Sequence, residues 1–220
     1  MRVVLSHLKK TALGKSSGFN KVSLVTRLHR QAALQEFWCA SWEEYWVIKC
    51  VAAMPAACAL AEQFTRIDYE DEDGKPRWTL IDLHVAMRDG FEYLVSTKYR
   101  EKAHRPSYRA EIARIAKQVP RRVADGFAIA SRFSFPKPVR ACAEDVHHAR
   151  RAWDPEADQA VQEAADALGD HFYFGELVDR SRLEEGRGWR AAVRLIADGE
   201  IGKHDMDPFE ARTVCWGVKA

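Results

Sequence analysis

The chain has 220 residues, 47% of them hydrophobic and 30% charged, and a formal net charge of +2. The apolar fraction excludes a disordered chain, and no stretch approaches the ~20 apolar residues of a membrane helix. The N-terminal apolar run is too short for a signal peptide, so we expect none. The five cysteines form no C-x-x-C pair. This disfavours a disulfide framework or a zinc knuckle, and a cytoplasmic location is expected.

The near-zero net charge conceals an uneven distribution along the chain. The segments 1–40, 41–95, 96–140 and 141–220 carry +6, −6, +9 and −7 in turn. Lys- and Arg-rich segments can neutralise phosphates, but they also occur as ordinary solvated surface. The two basic segments are therefore compatible with nucleic acid binding without requiring it.

Residues 1–40 are predicted to form a basic arm, with loop composition at residues 15–18 and a short strand over residues 21–28. A helix is predicted to begin after Ser41, because Ser41 and Glu44 have the S-x-x-E spacing of a capping box. Pro55 is expected to end or bend this helix.

The segment 41–140 is predicted to be an α/β domain with the element order αβββαβ. Its turns are expected at Gly74 and at Asp89-Gly90, where glycine permits a positive φ. The predicted elements after the first helix are strands over 64–69, 77–87 and 91–99, a basic helix over 107–119, and a strand over 126–135.

Residues 141–220, beyond the break at Pro136-Lys137-Pro138, are predicted to be mainly helical. Asp154 and Pro155 suit the N-cap and first position of a helix that runs to Leu168. Two further helices, over 174–178 and 186–197, precede two short strands within 201–218. This order is typical of a winged helix-turn-helix domain.

Five basic residues are candidates for DNA contact. Arg187, Arg190 and Arg194 lie on the predicted second helix of the helix-turn-helix, where they could reach phosphates and base edges. Lys102 and Arg105 belong to the basic segment after the third strand. Because segment 141–220 carries a net −7, a protein-binding role for the winged helix stays open beside the DNA-binding one.

The candidate catalytic residues are Glu44, Asp82 and Lys98. Asp82 lies within an apolar strand, where a carboxylate needs a polar partner. On the next strand Ser96 and Lys98 share one face, because strand side chains alternate. Carboxylates ligate Mg²⁺, which polarises a phosphate and lowers the pKa of water, and a lysine offsets the developing negative charge. The pattern is that of a metal-dependent nuclease.

The chain resembles the TnsA family, the restriction-endonuclease-like subunits of heteromeric bacterial transposases. The resemblance covers about residues 20–220. It is carried by Ser41-x-x-Glu44, Pro55, Glu62-Gln63, Ile67-Asp68-Tyr69, Asp73-Gly74, Ile81-Asp82-Leu83, Asp89-Gly90 and Val95-Ser96-Thr97-Lys98.

The resemblance implies that Glu44 and Asp82 bind Mg²⁺ or Mn²⁺ and that Lys98 is the catalytic lysine. Ser96 stands where the family has an acid or Gln, and a hydroxyl is a poorer Mg²⁺ ligand than a carboxylate. The Thr97 carbonyl could add a ligand.

Gln63 and His84 are possible supporting residues, although a helix-to-strand connection and an ordinary strand histidine are the simpler interpretations. Two further departures from the family pattern are Ile81 in place of Pro and Phe64 in place of the Pro that follows Gln63.

The implied activity is DNA endonuclease cleavage at transposon ends. The implied partners are DNA, a TnsB-like transposase and a TnsC-like AAA+ regulator, with no membrane. Two alternatives stay open. One is a catalytically weakened, TnsA-like assembly factor that binds DNA or the transposase, which Ser96 favours. The other is a winged-helix transcription regulator, which the pairing of Asp82 with Lys98 disfavours.

Overall fold

The computed structural model describes residues 3–4, 22–63 and 66–218. In these residues the protein is mixed α/β, with seven α-helices and four β-sheets. None of the described helices is both long and apolar enough to cross a bilayer. Clustering of contacts divides the chain into two compact units. The first comprises most of the chain up to Phe135; the second comprises residues 136–218 with the short segments Thr26–Ala33 and Ala53–Ala56.

The elements up to residue 135 build the first unit and its immediate connections. In chain order they are β1 (Val3–Val4), β2 (Val22–Thr26), β3 (Leu34–Cys39), α1 (Trp42–Ala53), β4 (Ala57–Glu62), β5 (Arg66–Glu70), β6 (Pro76–Leu80), β7 (Leu83–Met87), β8 (Glu92–Thr97), α2 (Arg100–Ala103), α3 (Pro106–Gln118), β9 (Gly126–Ala130) and a 3-10 turn (Arg132–Ser134).

The main sheet of the first unit has the strand order β4-β7-β8-β9. Its first three strands are antiparallel neighbours, and β9 is parallel to β8. Helix α3 packs against one face, where Ile112 and Ile115 meet Ile81 and Leu94 in a buried cluster. Strand β9 lies parallel to β8 because the chain crosses over the sheet through α2 and α3 before it returns.

Helix α1 begins where its capping residues predict. The Ser41 hydroxyl accepts a hydrogen bond from the Glu44 N–H at 3.2 Å, and the Glu44 carboxylate accepts one from the Ala40 N–H at 2.8 Å. The carboxylate thus reaches one residue further back than in the usual box. The helix ends at Ala53, two residues before Pro55, so both predicted ends are confirmed.

Two strand predictions in the main sheet are wrong. Residues 57–62, for which no strand was predicted, form β4. Residues 77–87, expected as one strand, form β6 and β7, which Ile81 and Asp82 separate. The expected first strand is instead β5, which pairs with β6 in a separate two-stranded hairpin inserted between β4 and β7. Phe64, the start of that expected strand, lies outside the described residues.

The short strand predicted over residues 21–28 is confirmed as β2, but the described part of the basic arm is more regular than expected. Strands β2 and β3 form a three-stranded sheet with β1, in the order β1-β3-β2. Leu34 and Phe37 of β3 are buried, so this segment contributes to the packed interior. The expected loop at residues 15–18 lies outside the described residues.

The second unit contains four helices and a small sheet. Its elements are α4 (Lys137–Arg151), α5 (Pro155–Leu168), β10 (Phe172–Tyr173), α6 (Phe174–Arg180), α7 (Glu185–Ala197), β11 (Ile201–Lys203) and β12 (Val214–Gly217). As predicted, Asp154 caps α5 by accepting the Ala157 N–H at 3.1 Å, and Gly199 follows α7 with φ 77°. Strand β10 is an addition to the prediction and pairs with β12, giving the order β10-β12-β11.

A buried group of ionised side chains holds the second unit together. Asp198 accepts hydrogen bonds from Arg30 at 3.0 Å and from Arg150 at 2.9 Å. Asp158 accepts one from Arg194 at 2.8 Å and lies 3.5 Å from the Arg30 guanidinium. Buried charges are costly unless each has a partner. Arg30 therefore ties the segment Thr26–Ala33 to both carboxylates.

We expect Asp198→Ala to lower the free energy of unfolding by about 3–5 kcal/mol, because it leaves buried guanidinium groups without their counter-charge. The measurement is urea denaturation followed by circular dichroism. The control is Glu156→Ala, which removes a carboxylate that is 87% exposed and pairs with Arg187; it is expected to cost less than about 1 kcal/mol. Equal losses in the two variants would contradict a stabilising role for the buried cluster.

Candidate active site

Asp82 lies in the break between β6 and β7, at the edge of the main sheet. Its backbone carbonyl accepts the Gln63 N–H at 2.9 Å, and its side chain is 15% exposed. The Oδ2 atom accepts hydrogen bonds from three donors. They are the Ser96 hydroxyl at 3.0 Å, the Thr97 N–H at 2.7 Å and the Lys98 ammonium at 3.0 Å.

Lys98 follows β8 directly and neutralises the Asp82 carboxylate. Its backbone N–H donates to the Ala130 carbonyl at 3.0 Å, and its ammonium also donates to the Thr97 carbonyl at 2.8 Å. Burial acts to lower the pKa of Lys98, but the attraction of Asp82, Tyr108 and Glu44 outweighs it, so the pKa is raised. The amine therefore stays charged at neutral pH.

Glu44, the third residue of α1, is buried and interacts electrostatically with this pair. Burial raises the pKa of Glu44 to about 7, and the negative charge of Asp82 acts in the same direction. The hydrogen bond from the Ala40 N–H, the charge of Lys98 and the Ser41 hydroxyl oppose the shift. Glu44 is therefore divided between its protonated and ionised forms near neutral pH.

Tyr108 is a member of the site that the sequence did not reveal. It lies near the start of α3, and its hydroxyl is 2.7 Å from the Ser96 hydroxyl. Because an ionised Asp82 can only accept, Ser96 donates its one proton to Asp82 and must accept from Tyr108. Burial raises the pKa of Tyr108, which keeps the phenol as the donor. The sequence motif around Lys98 does not predict the contact between Tyr108 and Ser96, because α3 and β8 come together only through tertiary packing.

The oxygens around Asp82 fit a hard cation in part. The Asp82 Oδ1 atom accepts no hydrogen bond from the described residues, and the Glu44 carboxylate and Thr97 carbonyl have the oxygen chemistry that Mg²⁺ prefers. Ser96 does not supply a further carboxylate, since its hydroxyl already bridges Tyr108 and Asp82. Within the described residues there is no group of three or more His, Cys, Asp or Glu side chains suited to a metal.

The two predicted supporting residues have different environments. Gln63 has φ 42°, in the left-handed region, and supports Asp82 through its backbone N–H. His84 lies two residues beyond Asp82 in β7, but its Nε2 atom is 2.8 Å from the Glu92 carboxylate. The structure therefore connects Gln63 to Asp82 and connects His84 to Glu92.

Three of the predicted DNA-contact residues lie on α7, and they differ in accessibility. Arg187 makes ion pairs with Asp154 at 2.6 Å and with Glu156 at 3.2 Å. Arg190 is partly exposed. Arg194 is 1% exposed and donates to Asp158. Placing Arg194 on a DNA-contacting surface was wrong, because its guanidinium serves as the buried counter-charge of a carboxylate.

The other two predicted DNA-contact residues lie beside the Asp82 site. The Lys102 ammonium is 5.5 Å from the centre of the Tyr108 ring, and the Tyr108 hydroxyl in turn contacts the Ser96 hydroxyl. Arg105 is exposed immediately before α3.

A scan of protein-family models finds no family that matches the chain, and a search of curated proteins finds no match.

We expect the stability that Glu44 contributes to decrease as the pH rises from about 4.5 to 7. The reason is that the folded state holds the Glu44 proton more tightly than the unfolded state does. Denaturant unfolding at pH 4.5 and pH 8 in the presence of EDTA measures this. The loss of stability on going to pH 8 should be about 3 kcal/mol larger in the wild type than in Glu44→Gln.

The control is Glu101→Gln, which removes an exposed carboxylate on α2. Its pH dependence should match that of the wild type. The same pH dependence in wild type and Glu44→Gln would contradict a buried, partly protonated Glu44.

Proposed function

We propose that the protein is a TnsA-like, metal-dependent DNA endonuclease that acts at transposon ends. The observation that carries the proposal is the interaction of Glu44, Asp82 and Lys98 in one half-buried site. These residues come from a helix, a strand break and a strand end that are far apart in the chain. A carboxylate pair beside an ammonium group is the combination that phosphodiester hydrolysis uses.

Each side chain has a defined role in this proposal. Glu44, Asp82 and the Thr97 carbonyl would hold Mg²⁺ or Mn²⁺, which when bound polarises the scissile phosphate and lowers the pKa of a water molecule. Lys98, kept charged by Asp82, stabilises negative charge that develops on the phosphate oxygens. Ser96, itself bonded to Tyr108, donates to the Oδ2 atom of Asp82 and so helps to hold this carboxylate in place.

The order of elements supports the proposed fold assignment. From α1 onward, leaving out the hairpin β5–β6 and the one-turn helix α2, the first unit has the order α1, β4, β7, β8, α3, β9. This order agrees with the αβββαβ order expected of a restriction-endonuclease-like core, and the site lies at the ends of the central strands β7 and β8. From α5 onward, the second unit has the order α5, β10, α6, α7, β11, β12, which agrees with a winged-helix-like domain.

The proposed partners are DNA, a TnsB-like transposase and a TnsC-like AAA+ regulator, and they follow from the resemblance. Segment 141–220 carries a net −7, and Arg187 and Arg194 are engaged in ion pairs within it. Both facts favour a protein partner over DNA for the second unit.

A second candidate function is a TnsA-like assembly factor that no longer cleaves. It is favoured by Ser96, whose hydroxyl donates to Asp82 where the family has an acid or Gln. In this case Lys98 serves as the permanent counter-charge of Asp82, and the site maintains the structure of the sheet edge.

We expect purified protein to nick or cut DNA that carries a transposon end when Mg²⁺ or Mn²⁺ is present, with or without the partner subunits. Asp82→Asn should reduce cleavage by about 10²-fold or more, because it removes a metal-binding charge and the counter-charge of Lys98. Asp89→Asn, in the exposed β7–β8 turn, should cleave like the wild type. The absence of cleavage under every condition, with DNA or transposase binding intact, would favour the assembly factor.

Ser96→Glu distinguishes the two candidate functions directly. If the lack of a carboxylate at position 96 is all that prevents metal-dependent cleavage, Ser96→Glu should cleave DNA more than the wild type does. Ser96→Ala should not. Circular dichroism should first show that both variants are folded, because Ser96 is buried against Tyr108. A folded Ser96→Glu protein that binds Mn²⁺ but does not cleave would count against the endonuclease.

A further inference from the structure

Phe133 is a large apolar side chain that the fold leaves at the surface. It is 50% exposed. The Arg132 guanidinium is 4.7 Å and the Arg100 guanidinium 5.7 Å from the centre of its ring. An exposed aromatic ring beside two cations combines an apolar surface with positive charge.

The 3-10 turn that carries Phe133 is held rigidly. Ser131 and Ser134 cap it reciprocally, through hydrogen bonds of the Phe133 N–H to the Ser131 hydroxyl and of the Ser131 N–H to the Ser134 hydroxyl. The Arg132 N–H donates to the Glu43 carboxylate at 2.7 Å. Glu43 is next to Glu44 in the first turn of α1, so this turn carries one of the catalytic candidates and also holds the turn that contains Phe133.

Phe133 lies at the same sheet edge as the candidate active site. Strands β8 and β9 are parallel, and Thr97 is paired with Ala130. The Lys98 N–H donates to the Ala130 carbonyl, so the segments that follow the two strands leave the sheet side by side. Arg100 is two residues beyond Lys98, and Phe133 is three residues beyond Ala130.

The charge of this region indicates the chemistry of the ligand. Segment 96–140 has a net charge of +9, and Arg105 and Arg109 nearby are exposed. A polyanion with planar apolar groups satisfies both the charge and the exposed ring, and single-stranded DNA has both. Inside a duplex each base is covered on both faces by its neighbours, so an unpaired base can stack on Phe133 without the cost of unstacking a base step.

We propose that Phe133 stacks on an unpaired DNA base beside the scissile phosphate, with Arg100 contacting a flanking phosphate. This inference rests on the proposed function to the extent that DNA is the ligand of the site. It adds that the bound DNA is locally unpaired, and it assigns the residue that recognises the unpaired state.

The test is binding of the full chain, in EDTA, to a single-stranded oligonucleotide that contains 2-aminopurine and to its duplex. Phe133→Ala should weaken single-strand binding about tenfold or more and abolish the quenching of 2-aminopurine. Duplex binding should change much less. Phe133→Trp should retain both signals, because the larger ring can still stack.

Phe91→Ala is the matched control. Phe91 is 51% exposed, but it lies in the turn before β8, at the opposite end of that strand from Lys98. The Phe91→Ala variant should bind both the single strand and the duplex like the wild type. Arg100→Gln should reduce the slope of log K against log [salt] for the single strand by about 0.7, as the loss of one phosphate contact requires.

Two results would overturn the inference: single-strand affinity of Phe133→Ala equal to that of Phe91→Ala, or equal weakening of single-strand and duplex binding. Because these measurements exclude metal, they do not depend on cleavage. Stacking on Phe133 in a protein that never cleaves would reject the endonuclease and retain the inference. If the wild type cleaves DNA and Phe133→Ala binds single strands normally, the endonuclease is retained and the inference about Phe133 is rejected.

Discussion

The Asp82 carboxylate is the constraint on which the edge of the main sheet depends. It is largely buried, so its oxygens need hydrogen-bond donors or a positive charge nearby. Its Oδ2 atom therefore gathers the hydroxyl, N–H and ammonium of three consecutive residues, Ser96, Thr97 and Lys98. These bonds join the start of β7 to the end of β8. Through the backbone of Lys98 they also determine where β9 ends.

The balance of charge at this edge separates the two candidate functions. Lys98 already compensates Asp82, while the buried Glu44 has its pKa raised to about 7. A cation bound there would favour the ionised form of Glu44. If no metal binds, the protonated form of Glu44 and the Asp82–Lys98 pair together carry no net charge. Ser96 supplies a hydroxyl here rather than a further carboxylate, so it adds no negative charge that would attract a cation.

The two units use arginine for different purposes. In the second unit Arg30, Arg150 and Arg194 are buried and compensate two aspartates. In the first unit the exposed Arg100 lies beside the Phe133 ring, close to the candidate site. Net charge per segment does not distinguish these uses, because a buried ion pair and an exposed cation contribute equally to the count. Only the exposed arginines are available to a polyanion.

Local signals in the sequence determined the starts of α1 and α5 and the turns at Gly74 and Gly90, because caps and positive φ angles depend on neighbouring residues only. They also brought Asp82 and Lys98 together as a candidate pair, since strand alternation is local. Tertiary structure decided the rest. It made β4 the partner of β7 and divided the strand at Asp82. It also placed Tyr108 on Ser96 and buried Arg194. Each of these depends on a partner distant in the chain, which no local pattern specifies.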